Sequence, residues 1–294
     1  MYVNNQTSGD QAATARHDHI AWGRIAPWLG MQAGCLLVFV VGWSPVAVGV
    51  AVALYIIRMF AVTAFYHRYF SHRAYVLSRP VQLMAAVLGA SAVQRGPLWW
   101  AAHHRNHHRH SDGEQDSHSP HTHSIWWSHV GWFTTRGAWE TDMRQVRDFA
   151  KFPELVWLDR HDKVVPVILL VALAMFGGYL GSAHPELGTN ALQMVVWGFC
   201  ISTTLLFHIT ASVNSVAHLV GRRVWPTRDH SRNSLLLALV TLGEGWHNNH
   251  HWHPGSVRQG FRWWQIDITY YVLLCMSAVG LVSGIRPLPE RARS

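Results

Sequence analysis

The chain has 294 residues, of which 49% are hydrophobic and 14% charged, a charged fraction that is low for a soluble globular protein. Its formal net charge is +8 with neutral histidine, but the arginines form no stripe with interleaved aromatic residues, which argues against nucleic-acid binding. Beside membrane spans, a basic excess follows from the positive-inside rule and from anionic lipid head groups. The composition therefore favours an integral membrane protein.

Two pairs of apolar stretches predict four membrane spans arranged as two helical hairpins. Each stretch is close to the ~20 residues that cross a ~30 Å hydrocarbon core, and the turn within each pair is too short to hold a folded unit. Neither turn contains Lys or Arg, so both turns are expected to face outside, with both termini and all histidine clusters inside. The predicted spans cover residues 25–43, 46–64, 164–183 and 191–212.

The remaining segments are expected to build a cytoplasmic helical cap. The apolar run at residues 81–93 is shorter than the ~20 residues of a span, and the run at 268–285 is weakened by Asp267, Gly280 and Gly284. The predicted fold is thus an all-α membrane protein with four spans and a cap. Its parts are an N-terminal cytoplasmic tail (1–24), a membrane domain (25–285) whose cap covers about 65–163 and 213–285, and a C-terminal tail (286–294).

Nine histidines fall into four short clusters, and three of these clusters adjoin apolar stretches. Imidazole is costly to place near a bilayer unless it is used, and it is a usual ligand of Zn, Fe and Cu. Nine nitrogen ligands with almost no carboxylate or thiolate exceed what one ion needs, so the sequence predicts two metal ions. The candidate ligands are His67, His72, His104, His107, His108, His218, His247, His250 and His251.

Spacing within the clusters predicts which side chains share a helix face. The HxxHH clusters that begin at His104 and at His247 place their histidines at i, i+3 and i+4, on one face of a helix. His67 and His72 are five residues apart, about 140° around an ideal helix. These two side chains can converge only if the second span ends or distorts there.

The ligand chemistry favours redox-active iron over structural zinc. Structural zinc takes four ligands and usually includes sulfur. Nine nitrogens with an open position fit two irons better, and iron beside a bilayer suggests oxygen activation on a lipid chain. Asn214 is a candidate to hold a metal-bound water, since an amide both donates and accepts. Asp112, Asp116 and Glu244 are candidates to orient imidazole N–H groups, with ordinary solvated carboxylates as the alternative.

The histidine clusters belong to longer motifs that occur in a fixed order along the chain. These are His67-Arg-Tyr-Phe-Ser-His72, Gly96-Pro-Leu-Trp-Trp100 leading into His104-Arg-Asn-His107-His108, Ser128-His-Val-Gly-Trp132, Asn214-Ser-Val-Ala-His218, and Gly243-Glu-Gly-Trp-His-Asn-Asn-His-His251. Together they make the chain resemble the membrane fatty acyl desaturases of the acyl-CoA desaturase type, over about residues 25–285. The combination is highly specific, whereas a single HxxHH would be weak.

The resemblance implies a bacterial inner-membrane enzyme with four spans, a cytoplasmic cap that holds a di-iron centre, and a kinked acyl tunnel. Zinc is expected as a substitute for iron in recombinant protein. One iron would take His67, His72, His104, His108 and His250, and the other would take His107, His218, His247 and His251, with Asn214 through water.

The implied reaction is oxygen-dependent desaturation of a saturated acyl chain, in which two electrons and O2 are consumed and water is formed. The expected substrate is a thioester of coenzyme A or of a carrier protein, although the sequence leaves a phospholipid open. Adjacent methylenes are chemically alike, so the protein selects one pair by positioning. One departure concerns Phe65, which follows Thr63-Ala64 where the family usually has a small residue. Phe65, Tyr55 and Met59 are therefore candidates to shape the tunnel.

The electrons are expected from a separate protein, because the chain contains no heme module and no flavin or Rossmann fingerprint. A ferredoxin, a rubredoxin or a cytochrome b5 type protein with its reductase would fit. Five arginines are candidates to dock an acidic donor or the phosphates of a carrier, with a solvated or lipid-facing role as the alternative. They are Arg105, Arg109, Arg222, Arg223 and Arg228.

Two other functions stay open from the sequence. A hydroxylase or an acetylenase would use the same ligands, because the outcome of the oxidation depends on sub-ångström placement of the substrate. A metal-handling transporter or sensor would place polar ligands along the spans near the bilayer midplane. The clusters lie instead at the inner ends of the spans, which favours an acyl desaturase.

Overall fold

A computed structural model describes residues 19–292, and the regular elements of this part of the chain are helices. Its β-structure is limited to isolated bridges such as the one between Val76 and Ser283. The principal helices of the described residues are α1 (Trp22–Val41), α2 (Pro45–Ser71), α3 (Arg79–Ala90), α4 (Pro97–His110), α5 (Pro153–Arg160), α6 (Val164–Ala183), α7 (Ala191–His218), α8 (Leu235–Val240), α9 (His247–Trp252) and α10 (Ile268–Ala278). Shorter helical turns cover Trp127–Gly131, Trp132–Thr134, Gly137–Trp139, Met143–Val146, Arg147–Ala150, Pro185–Leu187 and Glu290–Ala292.

Four of these helices, α1, α2, α6 and α7, are long and apolar enough to cross a membrane. They contain 20, 27, 20 and 28 residues, so each reaches the ~20 residues that a bilayer core requires. The expectation of an all-helical fold with four spans is confirmed. The boundaries of α1 and the start of α2 differ from the predicted ones by one to three residues, and two inner ends differ by more, because α2 continues to Ser71 and α7 to His218. The extension of α2 is buried and that of α7 is buried or half-buried, so these parts of the helices are covered by protein.

The two hairpins turn at residues with defined capping chemistry. Before α2, the Ser44 hydroxyl accepts a hydrogen bond from the Ala47 amide at 3.1 Å, and Gly42 adopts a positive φ of 64°. Before α7, the Asn190 side chain accepts from the Gln193 amide at 2.9 Å. Gly177 lets α6 approach α7 closely, since a Cβ at this position would lie 2.6 Å from the Asn190 carbonyl oxygen. Both turns are therefore specified locally.

The inner part of α2, Ala61–Ser71, is a π-helix rather than an α-helix. The His72 amide donates to the His67 carbonyl at 3.2 Å, which is the i→i+5 bond of this conformation. Residues five apart then stand above one another on one face. The distortion that the spacing of His67 and His72 required is thus present, and every residue of this segment is buried.

The two shorter apolar helices, α3 and α10, contain 12 and 11 residues and are too short to cross a bilayer. Both pack on the π-helical part of α2. Gly89 of α3 lies against the Tyr66 ring, where a Cβ would come within 2.1 Å of the ring edge. Thr269 of α10 shares a hydrogen bond with Thr63 at 2.8 Å. These contacts fix the segment of α2 that carries the first two histidines.

A buried arginine joins the spans behind this segment. The Arg58 side chain, 1% exposed, donates to the Thr203 hydroxyl at 2.7 Å and to the Ser202 hydroxyl at 2.6 Å, both on α7. It also donates to the Ser91 carbonyl at 3.3 Å, just after α3. The guanidinium is therefore satisfied within the bundle and ties α2 to α7.

Candidate metal centre

Nine buried or half-buried histidines converge at the end of the bundle where α2 and α7 enter the cap. Their ring nitrogens form two groups, and within each group the nitrogens lie within 4.8 Å of one another. The members of these groups coincide with the two ligand sets that the resemblance implies. The first group is His67, His72, His104, His108 and His250, and the second is His107, His218, His247 and His251.

Helices α4 and α9 each contribute to both groups. His104 and His108 of α4, one turn apart, belong to the first group, while His107 between them points to the second. In α9 the division is reversed, because His250 joins the first group and the flanking histidines of the cluster join the second. The two HxxHH helices therefore hold the two groups side by side, and His107 and His108 have ring centroids 5.6 Å apart.

The Nε2 atoms of the first group face a common point. The His67 Nε2 lies 3.0 Å from the Nε2 of His250 and 3.1 Å from that of His72. The His72 Nε2 lies 2.8 Å from that of His104, and the His250 Nε2 lies 2.9 Å from that of His108. In the second group, the Nε2 atoms of His218 and His247 lie 3.0 Å apart. Such convergence is what a shared cation requires of its ligands.

Four carboxylates accept hydrogen bonds from the Nδ1 atoms of four of these histidines. A Glu244 oxygen lies 2.5 Å from the His67 Nδ1, and an Asp116 oxygen lies 3.0 Å from the His107 Nδ1. An Asp112 oxygen lies 2.9 Å from the His218 Nδ1, and an Asp229 oxygen lies 2.7 Å from the His251 Nδ1. A ring that donates from Nδ1 carries its lone pair on Nε2, and the carboxylate makes that lone pair more basic. The three carboxylates singled out in the sequence thus contact the histidines, and Asp229 adds a fourth.

Burial favours the neutral form of four histidines of the first group, which is the protonation state that binds metal. Desolvation lowers the pKa values of His72, His104, His108 and His250 well below their usual 6.5, and the neighbouring imidazoles lower them further. Burial alone would raise the pKa of Glu244, but His67 and Arg68 lower it to about 2. The first group therefore combines these four neutral imidazoles with the ionised Glu244 carboxylate, so a cation is electrostatically favoured at its centre.

The donor set fits metal ions better than a network of hydrogen bonds. His67 has its proton held at Nδ1 by Glu244, so its Nε2 carries a lone pair directed at the point where the Nε2 atoms of the first group converge. In the second group, the His251 Nε2 is buried and has no hydrogen-bond partner among the described residues. Buried acceptors without donors are costly, and cations at the two convergence points satisfy them.

A buried ionic network supports the first group from behind. The Arg68 side chain, 1% exposed, pairs with Glu244 and with Asp267, each at 2.9 Å. Its guanidinium also donates to the Val257 carbonyl at 2.7 Å. The Gln259 amide donates to Glu244 at 2.8 Å, so this carboxylate is fixed from three sides. The network thereby sets the orientation of the carboxylate that holds the His67 ring.

A cavity of about 590 Å³ lies between α1, α4, α6 and α7 and reaches the histidines. Its wall includes His104 of the first group and Asn214 of α7. Farther along, Gln94 accepts from the Trp100 indole at 3.3 Å and donates to the Thr210 hydroxyl at 3.2 Å, joining two sides of the cavity. The volume and the mostly apolar lining are typical of a site for an elongated apolar ligand.

The three residues expected to shape a tunnel lie outside the lining of this cavity, and their part in a tunnel stays a prediction. Tyr55, Met59 and Phe65 are not among the described residues that line this cavity. Met59 and half-buried Tyr55 pack together between α2 and α7, and the Tyr55 hydroxyl donates to the Val240 carbonyl at 2.5 Å. Phe65 packs edge-on against Phe60. The cluster that contains Met59 also includes Trp100, which lines the cavity.

Two functional groups escaped the sequence reasoning. Asp229 lies in the α7–α8 loop (residues 219–234), more than twenty residues from the histidine that it contacts. The available signal was a single acid in a loop of arginines, which by itself indicates nothing about metals. His118, which lines the cavity, stacks beside His107 with ring centroids 4.5 Å apart and lies 3.4 Å from Asp116. It lies close to His121 and His123 in the sequence, but these three histidines do not form the HxxHH pattern.

Comparisons with known proteins agree with this geometry. The family model described as fatty acid desaturase matches residues 41–274. The chain is 35% identical to the palmitoyl-monogalactosyldiacylglycerol delta-7 desaturase of Arabidopsis thaliana, over 92% of this chain and 70% of that protein. It is 32% identical to the sn-1 stearoyl-lipid 9-desaturase of Anabaena variabilis, over 93% of this chain and 97% of that protein. It is 34% identical to an acyl-CoA 5-desaturase of Anemone leveillei, over 87% of this chain and 77% of that protein. The chain therefore belongs to the fatty acid desaturase family.

Proposed function

We propose that the two histidine groups bind two iron ions and that the enzyme desaturates a saturated acyl chain lying in the cavity. The observation that carries the proposal is the convergence of nine imidazoles in two groups beside an apolar cavity that includes His104 in its wall. The first group would hold one iron and the second group the other, with Asn214 bound through water. Nitrogen-rich sites suit Fe, and zinc would occupy the same nitrogens in recombinant protein without supporting turnover.

The proposed reaction converts one –CH2–CH2– unit, O2, two electrons and two protons into one –CH=CH– unit and two waters. Bound iron would supply the oxidation of an unactivated C–H bond by O2. The protein's own residues supply position. The Gln94–Thr210 contact and the Trp100 ring constrain the path of the chain beside His104, so one methylene pair is presented. The apolar wall excludes water from that pair.

The polar end of the cavity supports an acyl group with a polar carrier. Arg24, Arg95, Asp162 and Lys163 lie in the wall where α1 and α6 begin. We propose that they receive the head of an acyl thioester of coenzyme A or of a carrier protein. The relatives are named as acyl-lipid and as acyl-CoA desaturases, so a lipid-linked chain is the competing substrate. The electron donor would be a ferredoxin, a rubredoxin or a cytochrome b5 type protein with its reductase.

We further propose a bacterial inner-membrane location with the cap on the cytoplasmic side. In this arrangement residues 25–285 form one membrane domain, flanked by tails at 1–24 and 286–294, of which residues 1–18 and 293–294 lie outside the described residues. The support is charge placement, since the turns of both hairpins lack Lys and Arg whereas the cap is rich in arginine.

The proposal is tested by expressing the chain in a host that lacks its own desaturase and reading the fatty acid profile. Double-bond positions are read by mass spectrometry of derivatised esters, with His107→Ala as the inactive control. We expect a new unsaturated product that is absent from the control. A hydroxylated or alkynyl product would move the function to a related oxidation. Iron-loaded protein without any product, when supplied with electrons and acyl substrate, would refute the proposal.

A further inference from the structure

Hydrogen bonds connect the α7–α8 loop, on the surface of the cap, to the second histidine group. Asp229 of this loop accepts from the His251 ring at 2.7 Å. The next residue, His230, donates its backbone amide to Asp112 at 2.7 Å, and the same Asp112 oxygen accepts from the His218 ring at 2.9 Å. The loop thus reaches two histidines of the second group through at most one carboxylate each.

The loop is held rigidly against α9. The amides of Val224 and Trp225 both donate to the Asn248 side chain at 2.7 Å. The Trp225 ring also stacks on Trp252, with centroids 4.0 Å apart and an interplanar angle of 16°. Asn248 lies between two histidines of the HxxHH cluster on α9. A protein that binds this loop is therefore in a fixed geometry relative to the metal centre.

Two imidazoles on this surface lie directly over the second group. His121 and His230 stack with centroids 4.0 Å apart, and the His230 side chain is 50% exposed. The His121 ring is within hydrogen-bond distance of the His218 carbonyl, at 3.1 Å. The His230 Nδ1 lies 3.4 Å from Asp112. An exposed π-system is thus separated from the His218 ring by a single carboxylate.

The charge of the loop is strongly positive. Its only acidic residue, Asp229, is buried and bonded to His251, whereas the loop contains four arginines. Three of these arginines are exposed: Arg222, Arg223 and Arg228. In the adjoining turn at residues 111–117, Glu114 is exposed. The surface around the stacked imidazoles therefore combines a cationic loop with one neighbouring carboxylate.

Another sequence candidate for docking is used inside the cap. The Arg105 guanidinium makes a bidentate contact with Asp148, at 2.8 and 2.9 Å. It also donates to the backbone carbonyls of Phe70 and Ser71, at 2.7 and 2.9 Å. This side chain ties α4 to the end of α2 and is not part of the docking surface. The structure thus separates the arginines that the sequence grouped together.

We propose that the arginine face, formed by Arg222, Arg223 and Arg228 with the stacked pair His121 and His230, docks a small acidic one-electron carrier protein. The inference rests on the proposed function and assigns the place where its electrons arrive. Complementary charge steers such encounters and sets their orientation. Each encounter oxidises the carrier by one electron, which passes by way of the His230–Asp112–His218 contacts to the metal centre. Two encounters supply the two electrons that one double bond consumes.

The test uses iron-loaded protein in lipid nanodiscs and two acidic carriers as probes, a plant-type [2Fe–2S] ferredoxin and a rubredoxin. Carrier affinity is measured by surface plasmon resonance at two ionic strengths, and carrier oxidation is followed by stopped-flow absorbance. The variant Arg222→Glu/Arg228→Glu is compared with Arg144→Glu/Arg160→Glu, a pair of exposed arginines elsewhere on the cap that changes the net charge equally. Iron content and thermal unfolding confirm that both variants are folded.

We expect Kd to rise by about tenfold or more in the loop variant at low ionic strength, and by less at higher salt because exposed charges are screened. The control variant is expected to stay within about twofold of the wild type. His230→Ala is expected to slow carrier oxidation several-fold even at carrier concentrations that saturate binding, which the loss of a docking contact alone would not do.

Equal losses in the two charge variants, or a wild type that binds neither carrier, would overturn the docking assignment. A single turnover driven by dithionite separates this failure from failure of the proposed function. If dithionite-reduced wild type desaturates the acyl substrate while no carrier binds, only the docking inference is wrong. If dithionite-reduced protein forms no product while the charge variants still differ in carrier affinity, the docking inference stands and the proposed reaction is wrong.

Discussion

Replacing Asp229 by asparagine tests whether the carboxylates control the metal affinity of the histidines. Asp229 accepts from the His251 Nδ1 at 2.7 Å with one oxygen and from the Ser231 amide at 3.0 Å with the other. Asparagine keeps the shape of the side chain and its one oxygen can still serve Ser231. Its NH2 group then faces the His251 Nδ1. A donor in that position drives the ring proton to Nε2, the nitrogen that faces the centre.

The expected magnitude follows from losing one of the four ligands of the second group in its binding tautomer. Removing such hydrogen-bond partners typically costs about 10- to 100-fold in metal affinity, which corresponds to about 1.4–2.7 kcal/mol. Ferrous ion affinity is measured by competition with a chromophoric chelator, and the metal-to-protein ratio by mass spectrometry. Asp142→Asn is the matched control, because the Asp142 carboxylate is more exposed and accepts a hydrogen bond from the Arg144 amide.

The result that would refute this reasoning is an Asp229→Asn affinity within about twofold of both the wild type and the control. A second comparison sharpens the test. In a His251→Ala background the carboxylate has no ring to orient, so adding Asp229→Asn is expected to change metal affinity little. Additive losses in the double variant would show that Asp229 acts through the fold rather than through His251.

Three other perturbations give distinct readouts. Arg68→Met leaves Glu244 and Asp267 buried without their cation. We therefore expect the unfolding free energy, measured by denaturant titration, to fall by about 3–5 kcal/mol, and a fall below about 1 kcal/mol would contradict the buried network. Gly245→Ala would place a Cβ 2.0 Å from the Ala238 amide nitrogen and is expected to prevent metal loading. Gly49→Ala, whose Cβ would have no atom within 4 Å, is expected to retain the wild-type thermal midpoint. Equal thermal midpoints in the two variants would refute the close packing at Gly245. Chelator treatment is expected to lower the thermal midpoint of metal-loaded protein, because metal at 100-fold over its Kd stabilises the folded state by about 2.7 kcal/mol. An unchanged midpoint after verified metal loss would show that the histidines are preorganised without ions.

The sequence alone singled out the nine histidines that the structure brings together, because the signals are local. Membrane spans follow from the length of apolar runs, and an HxxHH cluster places its histidines on one helix face whatever the helix packs against. The carboxylates at Asp112, Asp116 and Glu244 could be singled out because they lie within a few residues of a histidine cluster. Chain-wide order of the motifs supplied the family, and the comparisons confirmed it.

The sequence was less informative about side chains whose role depends on distant contacts. Asp229 meets His251, and Arg68 meets Asp267, across separations that no helical or strand period describes. The cavity wall likewise combines residues of α1, α4, α6 and α7, which are far apart in the chain. The prediction that Tyr55 shapes a tunnel rested only on its place on α2.

Residue spacing left open how the nine histidines divide, a division that only the family resemblance implied and that the tertiary structure shows. The tertiary structure alone showed that the inner part of the second span is a π-helix, which brings two of the histidines together. Each HxxHH face splits between two groups because α4 and α9 cross beside each other, and a face predicted from one helix says nothing about its partner. The convergence of His67 and His72 needs the π-helix, which is stabilised by the packing of α3 and α10 around Ala61–Ser71. Local spacing fixes which nitrogens are available, while packing between segments far apart in the chain fixes which of them meet.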